Sequence, residues 1–224
     1  MKLRSNNYHM LISSLPPLPP RFEVDRLPIT LERLQNRLRM LEPADADEIE
    51  RMLQVLRWSR QFKEANDVAV VRRYAALMQT ITNPCVREVL TFGTEIRMIT
   101  VALRSRHRGL GPPTIGIGRW VEHIRRHFNQ PDFGLGHLVP RIEEYGRLIE
   151  QGDMLNLNHG LLESTWTYLS RYANNFYFSF EAVVLYVARW NIIRQWQELR
   201  AERGRPIFET LVGEALGEYV KFYA

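Results

Sequence analysis

The sequence predicts an all-α protein of eight or nine helices. Three observations carry that reading. Apolar residues recur at three- and four-residue steps over most of the chain, capping residues and prolines mark several starts, and no two alternating β-branched runs flank a turn. The first helix after residue 29 places Leu31, Leu34, Leu38 and Leu41 on one stripe, with Thr30 as cap. Asp45 and Glu48 read as a capping box ahead of Ile49, Met52, Leu53 and Leu56. Asp67 opens a helix carrying Val68, Val71, Ala75, Met78 and Ile81. Asn83-Pro84 is the clearest start, a side-chain acceptor followed by a residue with no N–H to leave unpaired, and its helix reaches Arg106. Gly109-Leu110-Gly111-Pro112-Pro113 stops it. Trp120, Val121, Ile124 and Phe128 mark a further helix, and two more are expected over 141–150 and 159–172. Ser179 precedes a long helix carrying Val183, Val184, Val187, Trp190, Ile193 and Leu199 that Gly204 should end, and Pro206 should start a last one carrying Leu211, Val212, Ala215, Leu216 and Tyr219.

Two units are expected. Residues 1–28 join a short apolar stretch, Tyr8 to Leu15, to a proline-rich connector at Pro16-Pro17-Leu18-Pro19-Pro20, extended because proline fixes φ and lacks a donor. The connector reads as a stiff surface segment rather than a PxxP ligand. Residues 29–224 form one helical domain. Within it, Glu95–Ser105 echoes Asn191–Ala201. Each ends in Leu-Arg and a small residue, then a basic glycine-containing loop, which suggests repeat units near 83–118 and 179–217.

Composition narrows the function. At 45% hydrophobic residues the 224-residue chain is too apolar to be disordered, and no apolar run reaches the ~18 residues of a membrane span. A single cysteine, Cys85, excludes an internal disulfide framework. It follows Pro84 in a first helical turn, where the dipole favours a thiolate, but with no evident partner it reads as buried filler. His123 and His127 lie at i, i+4, yet two arginines stand between them and the glutamate of a zinc-protease helix is missing. Asp45, Asp47 and Glu48 fit a helix start better than a metal site. Gly109-x-Gly111 and Gly116-x-Gly118 follow no strand and lack a Gly-Lys-Ser/Thr, so they read as loops and not as phosphate cradles. No cofactor or metal is expected. An enzyme would need a pocket among Trp58, His123, His127, Trp166 and Tyr168.

Thirty residues are basic and twenty-five acidic, and only Lys2, Lys63 and Lys221 are lysines. Besides Arg125/Arg126, the arginines concentrate at two helix ends. Arg104, Arg106 and Arg108 form one group, and Arg200, Arg203 and Arg205, with Arg194 just before, form the other. Elsewhere carboxylates interleave, so the distribution favours docking onto proteins over tracking a nucleic-acid backbone.

Three segments resemble a known family. They are Asn7-Tyr8-His9-Met10-Leu11-Ile12-Ser13-Ser14-Leu15-Pro16, then Pro131-Asp132-Phe133-Gly134-Leu135 with Pro140 following, then the helix from Phe180-Glu181-Ala182 through Tyr186 to Arg194-Gln195-Trp196. Together they resemble an uncharacterised family of short bacterial proteins encoded among the subunits of V/A-type ATPases. The late segment is also similar, more weakly, to the last repeat of the funnel-shaped connector of V/A-type ATPases, an all-helical protein between the central stalk and the membrane ring. The resemblance implies a non-catalytic subunit, cytoplasmic and peripheral to the inner membrane through its complex, with stalk and ring subunits as partners. The seven arginines at the two helix ends would then be the contact residues.

Overall fold

The computed structural model describes residues 8–58, 68–113, 116 and 118–222, with side chains over 8–56, 71–72, 74–113, 116 and 118–201. Among the described residues there are nine helices and no strand. They are α1 (His9–Ser14), α2 (Leu31–Leu38), α3 (Pro43–Trp58), α4 (Val68–Thr80), α5 (Pro84–His107), α6 (Val121–Arg126), α7 (Ile142–Glu150), α8 (Met154–Ala173) and α9 (Phe180–Phe222). The all-α expectation holds. No helix of the described residues is long and apolar enough to cross a membrane.

The local start signals work as chemistry predicts. Thr30 Oγ1 accepts from the Arg33 N–H at 3.4 Å. Asn83 Oδ1 accepts from the N–H groups of Cys85 (2.8 Å) and Val86 (3.2 Å), with Pro84 in the first turn. Helix α8 starts five residues before the expected position, because Asp153 accepts from the Asn156 N–H and sets an earlier cap. The Asp67 start lies outside the described residues.

Two expectations are corrected. Glu48 does not close a capping box. Helix α3 already starts at Pro43, and Glu48 is buried and reaches across to the α4–α5 turn. There its Oε1 accepts from the Thr82 N–H (2.7 Å), the Thr82 hydroxyl (2.6 Å) and the Asn83 N–H (3.3 Å). Gly204 does not end a helix either, since α9 continues through Gly204 and Pro206 to Phe222. An interior glycine costs about 1 kcal/mol and a proline about 3, and helical segments on both sides outweigh these local costs. The loop expected at 203–205 is therefore helical, so the echo between 95–105 and 191–201 covers helix alone.

Helix α5 organises the interior. Its N-terminal half packs Cys85, Val86, Val89 and Leu90 into a core shared with α3, α8 and α9. Its C-terminal half packs Ile96, Ile99, Ala102 and Leu103 against Ile124 of α6, Ile142 and Tyr145 of α7, and Leu157 of α8. A third cluster joins Leu34 of α2 to Tyr186 and Trp190 of α9. Helices α8 and α9 form an antiparallel hairpin against α5.

The proline-rich segment is fastened rather than merely laid on the surface. Prolines remove donors but leave carbonyls, and aromatic and amide side chains of α8 and α9 supply the missing protons. Tyr186 Oη donates to the Pro16 carbonyl (2.9 Å), Trp166 Nε1 to Pro20 (3.2 Å), Gln197 Nε2 to Val24 (3.1 Å) and Trp190 Nε1 to Ile29 (2.8 Å). Phe22, 1% exposed, plugs the core between Trp166 and Trp196.

Candidate functional site

The seven arginines singled out in the sequence do different jobs. Arg106 is committed within the chain. It donates to the carbonyls of Phe128 (3.3 Å), Gln130 (2.6 Å) and Pro131 (2.8 Å), and its guanidinium stacks 4.6 Å from the Phe133 ring centre. It therefore staples the Asp132-Phe133-Gly134 loop, where Phe133 is fully buried at a φ of 56°. Asp132 closes that loop by accepting from the Gly134 and Gly136 N–H groups, which hold its carboxyl below the ordinary range. Arg194 lies over Trp190 and pairs with Glu198 at 3.5 Å, and Arg200 donates to Asp25 at 3.2 Å. Arg108 is exposed past the end of α5. Arg104 is half-buried, and the one hydrogen bond of its side chain among the described residues goes to the Met154 sulfur at 3.8 Å. The side chains of Arg203 and Arg205 lie outside those described.

Of the residues of the alternative enzymatic pocket, the two histidines come together among the described side chains, while Trp166 and Tyr168 pack in other clusters. His123 and His127 do face each other, with ring centres 4.4 Å apart, beside the 130–134 loop. No group of three or more His, Cys, Asp or Glu able to hold a metal occurs among the described residues. Trp166 lies in the first core beside Phe22, and the Trp58 side chain is outside those described.

Tyr168 instead belongs to a polar cluster that no motif announced. Its hydroxyl donates to Glu88 at 2.5 Å and its ring stacks on Phe92 at 3.8 Å. Burial, then the Glu88 carboxylate, push the Tyr168 hydroxyl pKa up. Arg119 lies 3.5 Å from Glu88 and binds the fully buried Glu95, through Nε (2.8 Å), Nη2 (3.1 Å) and its own backbone N–H (3.0 Å). This explains the second glycine pair. Gly118 has a φ of 108°, and a Cβ there would lie 2.8 Å from Glu95 Cγ, so only glycine lets this loop close onto the carboxylate. The backbone N–H that follows Gly118 serves Glu95 and not a phosphate. The i, i+7 spacing of Glu88 and Glu95 was the available signal, but their shared partner sits 24 residues beyond Glu95.

Cys85 is buried as expected, and burial together with Glu181 and Glu88 pushes its thiol to about 12. The native thiol should therefore resist iodoacetamide at pH 7.5 and react at once in denaturant. Labelling read by intact mass checks this, and stoichiometric native labelling within minutes would show the site open.

One surface is unusual for its apolarity. The α8–α9 turn exposes Tyr177 (76%) and Phe178 (40%), and α1 adds Met10 (78%) beside His9, whose ring stacks on Phe178 at 4.5 Å. Phe178 sits at a φ of 49°, a left-handed conformation costly for a bulky side chain. The Tyr8 N–H donates to its carbonyl at 2.6 Å and holds it there.

Comparison with known proteins is informative at the family level alone. No curated protein and no solved structure matches the chain significantly. Residues 60–218 match a family model, and the chain belongs to the family described as "Protein of unknown function (DUF2764)".

Proposed function

We propose that this chain is a non-catalytic subunit of a bacterial V/A-type ATPase, a helical connector that docks onto stalk or membrane-ring subunits while its partners hydrolyse ATP. The observation that carries the reading is the aromatic surface at Met10, Tyr177 and Phe178. Aromatic residues and methionine are enriched where proteins meet, and a backbone outlier that displays them marks a candidate contact site. The sequence resemblance supplies the identity of the partners. The build suits a part under mechanical load. Helix α9 is 43 residues, about 64 Å at 1.5 Å per residue, and its first half is locked into dense core by Val183, Val184, Val187 and Ile193. A folded chain of this length has a diameter of roughly 45 Å, so the helix is long enough to reach past the body. Arg108, beyond the end of α5, adds a charged contact point.

Native isolation of the tagged chain from its own host tests the proposal. Catalytic, stalk and proteolipid subunits of the ATPase are expected to co-isolate, and Tyr177→Ser with Phe178→Gly to release them without lowering the Tm. Isolates that never contain ATPase subunits would refute it.

A further inference from the structure

Helices α5, α8 and α9, with Val55 and Leu56 of α3, line an elongated groove of about 700 Å³, a size typical of small-molecule sites. Along α5 it runs from Val89 to Arg104, about 22 Å at 1.5 Å per residue. The helix directions are fixed by three contacts. Tyr168 meets Glu88 and Met154 meets Arg104, so α8 runs against α5, while Asn83 donates to Glu181 at 2.9 Å, so α9 runs with it.

Apolar side chains dominate one end of the groove, with Thr94, Thr165 and Asn191 also in the lining. The end near the start of α5 is walled by Val89, Leu90 and Leu169, all apolar. Toward the other end the lining includes Asn158, Gln195 and, last on α5, Arg104. Among the described residues the Asn158 and Gln195 side chains make no hydrogen bond, and Arg104 has no carboxylate within ion-pairing distance. A thioether is a weak acceptor, so a half-buried guanidinium is left with charge to spare. Arg97 and Glu198 also line this end, and Glu198 is already engaged by Arg194. Burial and neighbouring Arg108 pull the Arg104 pKa down, which an anion beside it would reverse. Four residues in from Val89, Gly93 faces open space, since a Cβ built there would meet no atom within 4 Å.

We propose that this groove binds a single-chain anionic amphiphile, its alkyl chain along Gly93 toward Leu169 and its head group on Arg104, Asn158 and Gln195. The site is independent of any role in an ATPase.

Calorimetric titration of the purified full chain with octanoate, decanoate and laurate below their micellar range tests this. Saturable one-to-one binding is expected, tightening about fourfold per methylene as buried alkyl surface should. Dodecanol is expected to bind about tenfold more weakly than laurate, and Arg104→Gln to weaken laurate by a similar factor. Gly93→Leu, at a position where a Cβ meets no atom within 4 Å, is expected to abolish binding while the Tm holds or rises. A lysophosphatidate of the same chain length tells a phosphate head from a carboxylate, and tighter binding of either keeps the proposal. Absence of saturable laurate binding, affinity independent of chain length, or unchanged affinity in both variants would overturn it.

Discussion

Trp190→Ala is expected to cost about 3–5 kcal/mol of unfolding free energy, the range for removing a fully buried large aromatic. Trp190 is 1% exposed and joins α9 to α2 and to the segment before it, packing with Tyr186, Leu34 and Ile29. Two losses combine. The indole leaves a void between elements that rigid helices cannot close, and the Ile29 carbonyl loses the donor at 2.8 Å that satisfies it. Trp190→Phe separates them, keeping most of the volume and losing the hydrogen bond, at about 1–2 kcal/mol. Since a domain of this kind is stable by roughly 5–15 kcal/mol in all, the alanine variant should unfold at much lower urea with an unchanged m-value. A midpoint shift equivalent to less than about 1 kcal/mol would mean that α2 is not docked through this residue.

The Trp190 contact also shows where sequence reading stops. That α9 would bury Trp190 was legible from the spacing of Val183, Val187, Trp190 and Ile193. That its N–H would meet the carbonyl of Ile29, 161 residues away, was not, because a donor's partner is set by chain topology. The same division recurs. Asn83-Pro84 was readable because cap and capped N–H groups are two and three residues apart. Glu48 misleads because the rule that pairs it with Asp45 is local, whereas the Thr82 and Asn83 N–H groups it serves lie 34 and 35 residues on. Gly204 and Pro206 look like breaks because propensity is judged residue by residue, while a helix persists on the sum over its length. The arginine clusters were visible as composition, but not which members would be used up. Arg106 turns inward because three carbonyls of the 128–131 loop converge on it, and Arg104, four residues after Thr100 on the groove-lining face of α5, meets no such set.

The Arg119–Glu95 pair carries the second large effect. Glu95 has no exposed side-chain surface, whereas Arg119 is 60% exposed, so the two partners are not equivalent. Arg119→Met is expected to cost about 3 kcal/mol, the lower end for breaking a buried ion pair, because the carboxylate stays buried and keeps only the backbone N–H of residue 119. Glu95→Met alone should cost less, since the exposed guanidinium returns to water and remains near Glu88 at 3.5 Å. The double variant should therefore be more stable than Arg119→Met alone, because an apolar side chain at 95 removes the stranded charge. A double-mutant cycle by urea unfolding measures this directly. Additive single effects would mean that the pair is not coupled and that the 118–119 loop is held by something else. Coupling as expected would make this carboxylate the anchor of the loop, with Gly118 as the residue that permits the approach. Gly118→Ala should then reproduce much of the Arg119→Met loss without touching either charge, because its Cβ would displace the loop from Glu95.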